Sequence, residues 1–478
     1  MVKSVLFVGA EAAPFASAGG LGDVMGSLPQ ALYKAGNGEI DVRAVMPMYC
    51  QIGEEWRAKM KKVCEFYVPL AWRSQYCGVW TLKYKNVTYY FIDNEYYFKR
   101  RALYGEFDDG ERFAFFSRAV VDMLSYIGFA PDILHCNDWQ SAMASVYLRT
   151  KYSYPYTRTV YTIHNIEYQG IFGFEILGDV FDLGPEHKAL VEYDSDINLT
   201  KAAIATADAV TTVSPRYASE IKSHYFACGL QDAVNAYAWK VSGIINGIDT
   251  NLYNPATDKG ILANFTKTKL AGKAECKADL QRLFGLPEDP NVPLVAMVSR
   301  LASHKGFDLV TRVLEEFLQD NVQFVLLGTG DYRTEDYFRY ISGRYPHKAG
   351  IMLTYNRDLS KKVYAGADLF LMPSRSEPCG LSQMIASRYG AIPVVHEVGG
   401  LYDTIKPFDE TKGEGNGVTF KSYNAYDMLD ALRRACRIYC DPEKRTKVIR
   451  NAMSMDFSWE ASAKKYLDLY EEIAQRKY

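Results

Sequence analysis

Short apolar runs of strand length alternate with segments whose apolar residues recur at helical spacing, and the alternation persists along most of the chain. Ser4-Val-Leu-Phe-Val-Gly9 reads as a buried strand, and Val24, Leu28 and Leu32 mark the helix that follows it. Further strands are predicted at Ile40–Met46, Ile133–His135, Thr159–Ile163 and Ala209–Val213, then at Val292–Val298, Gln323–Leu327 and Ile351–Tyr355. The run Asp368-Leu-Phe-Leu-Met-Pro373 is another, followed by Leu381, Met384 and Ile385 at helical spacing. Strands alternating with helices in this way predict an α/β protein built on parallel, doubly wound sheets. Gly19-Gly20-Leu21-x-Asp23 recurs as Gly399-Gly400-Leu401-x-Asp403, each after a strand and before a helix, which predicts two similar halves. The polar run from Asn254 to Lys277 reads as a connector, with the boundary near residue 245. After Asp456-Phe-Ser-Trp459, a last amphipathic helix carries Ala463, Tyr466, Leu469, Tyr470 and Ile473 on one face.

Length and charge narrow the function. A chain of 478 residues with 48% hydrophobic and 23% charged side chains has room for two large cores. Its net charge of −2 gives no electrostatic footprint for nucleic acid or an anionic membrane, so phosphate recognition is expected to be local. Glu11 interrupts the first apolar run before a signal-peptide core is complete, and no stretch approaches transmembrane length. Nine cysteines without a C-x-x-C pair suit a reducing cytoplasm, and Cys436 and Cys440, one helical turn apart, read as packing. Asp194-Ser-Asp196 has nothing around it to complete a metal site and reads as a solvated loop; no metal or other cofactor is expected.

Candidate chemistry concentrates between Pro373 and Asp403. Glu377 and Cys379 lie in a strand-to-helix turn, where the amides of Gly380 and Leu381 open a helix and suit a phosphate or a sugar hydroxyl. The plainer reading is that Glu377 caps the helix and Cys379 packs. The Gly19–Gly20 turn offers a second approach to a phosphate, although tight turns need glycine in any case. Arg300 and Lys305 flank the start of the Phe307–Leu318 helix, where cations oppose the helix dipole unless an anion binds between them. His135-Cys-Asn-Asp-Trp139 and Thr162-Ile-His-Asn-Ile-Glu-Tyr-Gln-Gly170 end neighbouring strands, which brings His164, Asn165 and Asp138 to the carboxyl edge of a sheet. Between Phe66 and Phe116 the aromatic residues are mostly strand and core, but some have flat faces suited to a pyranose. Tyr355, at a strand end, either stacks on a base or packs in the core.

The segment S-R-x-E-P-C-G-L, then R-Y-G-x-[IL]-P-V-V and G-G-L-x-D-T, resembles the donor-site segment of bacterial glycogen synthases and plant starch synthases. The H-x-x-D-W, T-[IV]-H-N-x-x-Y-Q-G, N-G-[IV]-D and S-R-L-x-x-x-K-G segments extend the resemblance over nearly the whole chain. Four positions depart from the family pattern: Ser17 stands where the family has Lys, Ala18 where it has Thr or Val, His304 where it has Gln, and His396 where it has Arg. The resemblance implies two facing Rossmann-like domains with an interdomain cleft, the GT-B type. Residues 1–245 would form the acceptor-side domain, 246–456 the nucleotide-sugar side, and 457–478 a C-terminal helix crossing back to the first domain. It implies transfer of glucose from ADP-glucose to the terminal 4-hydroxyl of an α-1,4-glucan with retention, and no cofactor. Glu377, His164, Arg300 and Lys305 are implied in catalysis. Donor binding is implied for Gly19, Gly20, Asp23, Asn165, Asn246, Tyr355, Cys379, Gly380 and Leu381, and acceptor binding for Asp138, Tyr97 and Phe98. A relative using UDP-glucose or another acceptor, or a weakly active or non-catalytic glucan-binding paralogue, are the other readings.

Overall fold

A computed structural model of the chain describes residues 2–354 and 356–476. The chain divides into two compact units, Met1–Gly247 with Trp459–Tyr478, and Ile248–Ser458.

In the first unit Ser4–Val8 lies between Asp41–Pro47 and Ile133–Asn137, parallel to both. Its residues Val5 to Val8 are almost fully buried, as expected of a continuous apolar run covered on both faces. Arg158–Ile163, Ala209–Thr212 and Val241–Gly243 extend the sheet on one side; Val87–Asp93 and the antiparallel hairpin Lys61–Leu70/Arg73–Tyr84 extend it on the other, nine strands in all among the described residues. The C-terminal helix Trp459–Gln475 belongs to this unit, as expected from the sequence. Ala463, Tyr466, Tyr470 and Ile473 are buried, and the Tyr470 hydroxyl meets Nδ1 of the fully buried His135 at 2.6 Å. The aromatic stretch divides: Tyr89, Phe91, Tyr97 and Phe98 are in the core, whereas Trp72 is 76% and Tyr96 65% exposed. Asp194 and Ser195 form a left-handed hairpin turn, φ 52° and 69°, between two short strands.

The second unit has a six-stranded parallel sheet. Numbered along this unit alone, its strands stand in the order 3-2-1-4-5-6, that of a dinucleotide-binding fold. Leu294–Val298 and Leu369–Met372 are adjacent in the sheet, and the winding direction reverses between them. The supposed connector is partly helix, Ala271–Leu283. Lys273 and Lys277 mislead because they point inward. The Lys273 ammonium donates to the carbonyls of Ala365, Ala367 and Tyr389 at 2.8–3.0 Å, and Lys277 pairs with Asp368 at 2.7 Å. Buried charges of this kind are tolerated because every N–H has an acceptor. Among the described residues, no helix is long and apolar enough to cross a membrane.

Candidate active site

Two loops leave the carboxyl ends of the strands at the point where the second sheet reverses, the place where open α/β sheets hold ligands. One runs from Ser299 and Arg300 through a 3-10 turn, Ser303–Lys305, to the helix Phe307–Phe317. The other runs from Pro373 through Glu377 to the helix Ser382–Arg388. The Arg375 amide donates to the His304 carbonyl at 2.9 Å, tying the loops together. Gly306 joins them more closely still. Its φ is +79°, and a Cβ there would lie 2.1 Å from the Pro373 carbonyl oxygen, so no side chain fits.

This approach brings Lys305 to Glu377. The ammonium donates to Oε1 at 3.0 Å and Oε2 at 2.7 Å, and the Ser374 hydroxyl donates to Oε2 at 2.9 Å. Glu377 is therefore no helix cap; it is the fixed anion of a polar cluster, 6% exposed. One ammonium N–H of Lys305 remains after these two bonds. Beside the pair is a cavity of about 220 Å³ whose lining includes Arg300, Lys305, Ser374, Glu377, Leu381 and Ser382. Among the described residues the Arg300 guanidinium makes no hydrogen bond or ion pair, and the Gly380 and Leu381 amides donate to nothing. Arg300, Lys305 and Leu381 line the cavity, and two cations with a free backbone donor are the groups that suit an anion. Cys379 is buried and Gly380 is left-handed, φ +72°.

Gly399 and Gly400 serve this loop rather than a ligand. Cβ atoms there would lie 2.0 Å from the Glu377 oxygen and 1.9 Å from the Cys379 oxygen, and the Gly400 amide donates to the Glu377 carbonyl at 3.0 Å. Ser374 is braced by His396, whose Nδ1 is 2.7 Å from the Ser374 carbonyl and whose Nε2 is 3.2 Å from that of Lys421.

In the first unit His164 ends the strand Arg158–Ile163. Its Nε2 is 2.9 Å from Oδ1 of Asn137, whose amide nitrogen donates to the Val8 and His135 carbonyls. That orientation assigns the ring proton to Nε2 and leaves Nδ1 as an acceptor. Burial pulls the imidazole down to about 3, so it is neutral near pH 7. Asp138, left-handed at φ 56°, accepts the His164 amide at 2.8 Å on Oδ1; burial raises its carboxyl to about 7 despite the amides of His164 and Asn165. It thus positions the His164 turn. Asn165 holds the Glu167 amide, and the buried Asn246 has an Oδ1 without a partner among the described residues.

Two expectations need correction. The Ala18 and Gly19 amides donate to the carboxylate of Glu11, which is 1% exposed, so the anion at that helix end is the protein's own. Gly20 is open, with no atom within 4 Å of an added Cβ, and Asp23 is half-buried in the first helical turn. Tyr97 and Phe98 are completely buried and offer no face to a glucan; the Tyr97 hydroxyl donates to Glu111 at 2.5 Å. Tyr355 lies outside the described residues. Sequence reasoning missed Ser374, Asn137 and Glu11, each of which acts by orienting another residue or a backbone amide.

Residues 4–236 match the model of the starch synthase catalytic domain, and residues 282–455 that of the glycosyl transferases group 1. The glycogen synthase of Ligilactobacillus salivarius (strain UCC118) is 47% identical over 98% of this chain and 99% of its own. That of Geobacillus stearothermophilus is 46% identical over 99% and 98%. The catalytic domain of starch synthase IV from Arabidopsis thaliana, solved bound to ADP and acarbose, superposes with a TM-score of 0.90 at 34% identity, over 99% of this chain and all of that one. Sucrose-phosphate synthase from Thermosynechococcus elongatus, at 17% identity and a TM-score of 0.62 over 98% of this chain and 99% of its own, shares the fold. With their two α/β units, these matches make this chain a glycosyltransferase of the GT-B fold, a hexosyltransferase. Within that class it belongs to the glycogen and starch synthase family.

Proposed function

We propose that the chain transfers glucose from ADP-glucose to the non-reducing 4-hydroxyl of an α-1,4-glucan, with retention at the anomeric carbon. The observation that carries this reading is the Lys305–Glu377–Ser374 cluster beside Arg300 and the Gly380 and Leu381 amides. As the bond from C1 to the diphosphate oxygen breaks, negative charge gathers on that oxygen and positive charge on the sugar ring. Arg300 and the remaining N–H of Lys305 stabilise the departing diphosphate. Each contributes about 3 kcal/mol, on the order of a hundredfold in rate. Glu377 uses its remaining lone pair for the glucose hydroxyls and faces the developing ring charge. His164, neutral and with Nδ1 as acceptor, receives the 6-hydroxyl. The 4-hydroxyl oxygen of the glucan then bonds to C1 on the same face, and its proton passes to the departing diphosphate oxygen, on which the negative charge has gathered.

Cys379 packs behind the Glu377 loop, and the Oδ1 of Asn246, without a partner among the described residues, is assigned to donor binding. Nine free cysteines agree with a reducing cytoplasm. The starch synthase solved with ADP and acarbose supports adenine as the base and a glucan as acceptor. The test is radiolabelled glucose transfer to glycogen from ADP-glucose and from UDP-glucose, with the new linkage read by NMR. The expected result is an α-1,4 linkage formed from ADP-glucose. Preference for UDP-glucose refutes the donor assignment, and transfer from neither refutes the activity.

A further inference from the structure

At the tip of the hairpin Lys61–Leu70/Arg73–Tyr84, an exposed tryptophan is held in one orientation. Trp72 is 76% exposed, yet its indole N–H donates to Oδ1 of Asp179 at 2.7 Å, and the Arg73 guanidinium lies 4.4 Å from its ring centroid. Arg73 is fixed in turn: it pairs with Oδ2 of Asp179 at 3.0 Å and with Glu111 at 3.3 Å, and donates to the Asp179 carbonyl. Immobilising a large side chain costs conformational entropy that burial normally offsets, and here the ring is not buried. What remains is one bare aromatic face, backed by a cation and edged by a carboxylate whose side chain is 49% exposed.

That combination suits a pyranose. The C–H face of the sugar stacks on the ring while an equatorial hydroxyl donates to the carboxylate. A single ring rimmed by Arg73, Asp179 and Glu111 is too small and too polar to match the apolar centre of a protein interface. Tyr96, 65% exposed, is braced by the same network: its ring packs 5.1 Å from that of Tyr97, whose hydroxyl donates to Glu111. We propose that Trp72 and Asp179 form a holding site for α-1,4-linked glucose units of the polymer, built from residues none of which line the cavity at Glu377. The proposal rests on the reading of the chain as an enzyme that acts on a glucan. Two weak contacts on one polymer act together, so a second platform built from other residues raises residence on long chains.

Hydroxyl-radical footprinting of the intact protein, with and without maltoheptaose, tests it in the unaltered chain. Trp239, 69% exposed and with no carboxylate on its indole N–H among the described residues, is the internal reference. Oxidation of Trp72 falls by a factor of about three or more as its free face is covered, while that of Trp239 is unchanged. Trp72→Ala lowers co-sedimentation with glycogen roughly tenfold, Trp72→Tyr restores most of it, and the KM for the nucleotide sugar stays at the parental value. Equal oxidation of Trp72 with and without glucan overturns the proposal. So does a Trp72→Ala protein that keeps parental glycogen binding but changes molar mass in light scattering, which assigns the surface to a second copy. If the unaltered protein extends glycogen while Trp72 stays unprotected, only the platform fails; if it extends nothing, the proposed function fails and the footprint still judges the platform.

Discussion

Lys305→Met removes the ammonium while keeping most of the volume of the side chain. Both bonds to the Glu377 carboxylate vanish, leaving it the Ser374 hydroxyl alone at a position 6% exposed. Orphaning one member of a buried pair costs about 3–5 kcal/mol, mostly the penalty of the unpaired survivor. The Lys305 side chain is 20% exposed, so water reaches the site and the lower end, about 3 kcal/mol, is expected. Turnover falls by about a hundredfold, because the same ammonium faces the departing diphosphate. The double variant Lys305→Met/Glu377→Gln separates the two effects. It has no orphaned charge, so its stability returns to within about 1 kcal/mol of the parent, whereas its activity falls further. Urea unfolding measures the first quantity and glucose transfer to glycogen the second. A single variant as stable as the double, or one that retains more than about a third of parental turnover, refutes the reasoning.

Acid stability depends on the buried histidines. His164 is held at about 3 by burial, below its unfolded value, so its contribution is complete above about pH 6.5 and is lost as pH falls toward 3. His164→Gln therefore removes about 1.4 kcal/mol per pH unit from the slope of stability between about pH 6.5 and 5, and parallel melting-temperature profiles would exclude this. Asp138 has the opposite sign: its carboxyl, raised to about 7, takes up a proton in the folded state first, so Asp138→Asn steepens acid destabilisation in the same scans. Gly400→Ala sets a Cβ 1.9 Å from the Cys379 oxygen, forcing the Glu377 loop to move; activity drops at least about tenfold and the melting temperature falls. Gly20→Ala, where an added carbon meets nothing within 4 Å, melts close to the parent, and equal melting of the two variants contradicts the packing argument. Ending the chain at Ser458 exposes the surface beneath Tyr466, Tyr470 and Ile473 and should give aggregation or rapid proteolysis; a soluble, fully active fragment refutes that.

The strands were legible because strands covered on both faces carry uninterrupted apolar runs, as Val5 to Val8 do. Lys305, Glu377 and Arg300 were legible because acids, bases and glycines sit together in short strand-to-helix loops. The helix Ala271–Leu283 was not, since Lys273 and Lys277 look like solvent-facing residues until the carbonyls they cap are seen. Nor could periodicity distinguish Tyr96 from Tyr97. They lie in a four-residue helix, Glu95–Phe98, too short for a face to be defined, and only the folded chain shows which ring is outside. Glu11 was hidden for another reason: its partners are backbone amides seven and eight residues away, which no side-chain pattern encodes.

The path of the chain has a consequence for how the protein is made. Translation passes into the second unit at Ile248 and out at Ser458, and these two residues pair side by side, so that unit is an insert whose ends meet. It can close its own sheet on the ribosome while the opening unit, begun first, still waits for Tyr470 to reach His135 across 335 positions. The oldest half of the nascent chain is therefore the last to mature, and a ribosome that stalls between Ser458 and Tyr470 releases a finished insert attached to an unfinished half, a substrate for quality control rather than a partly working enzyme.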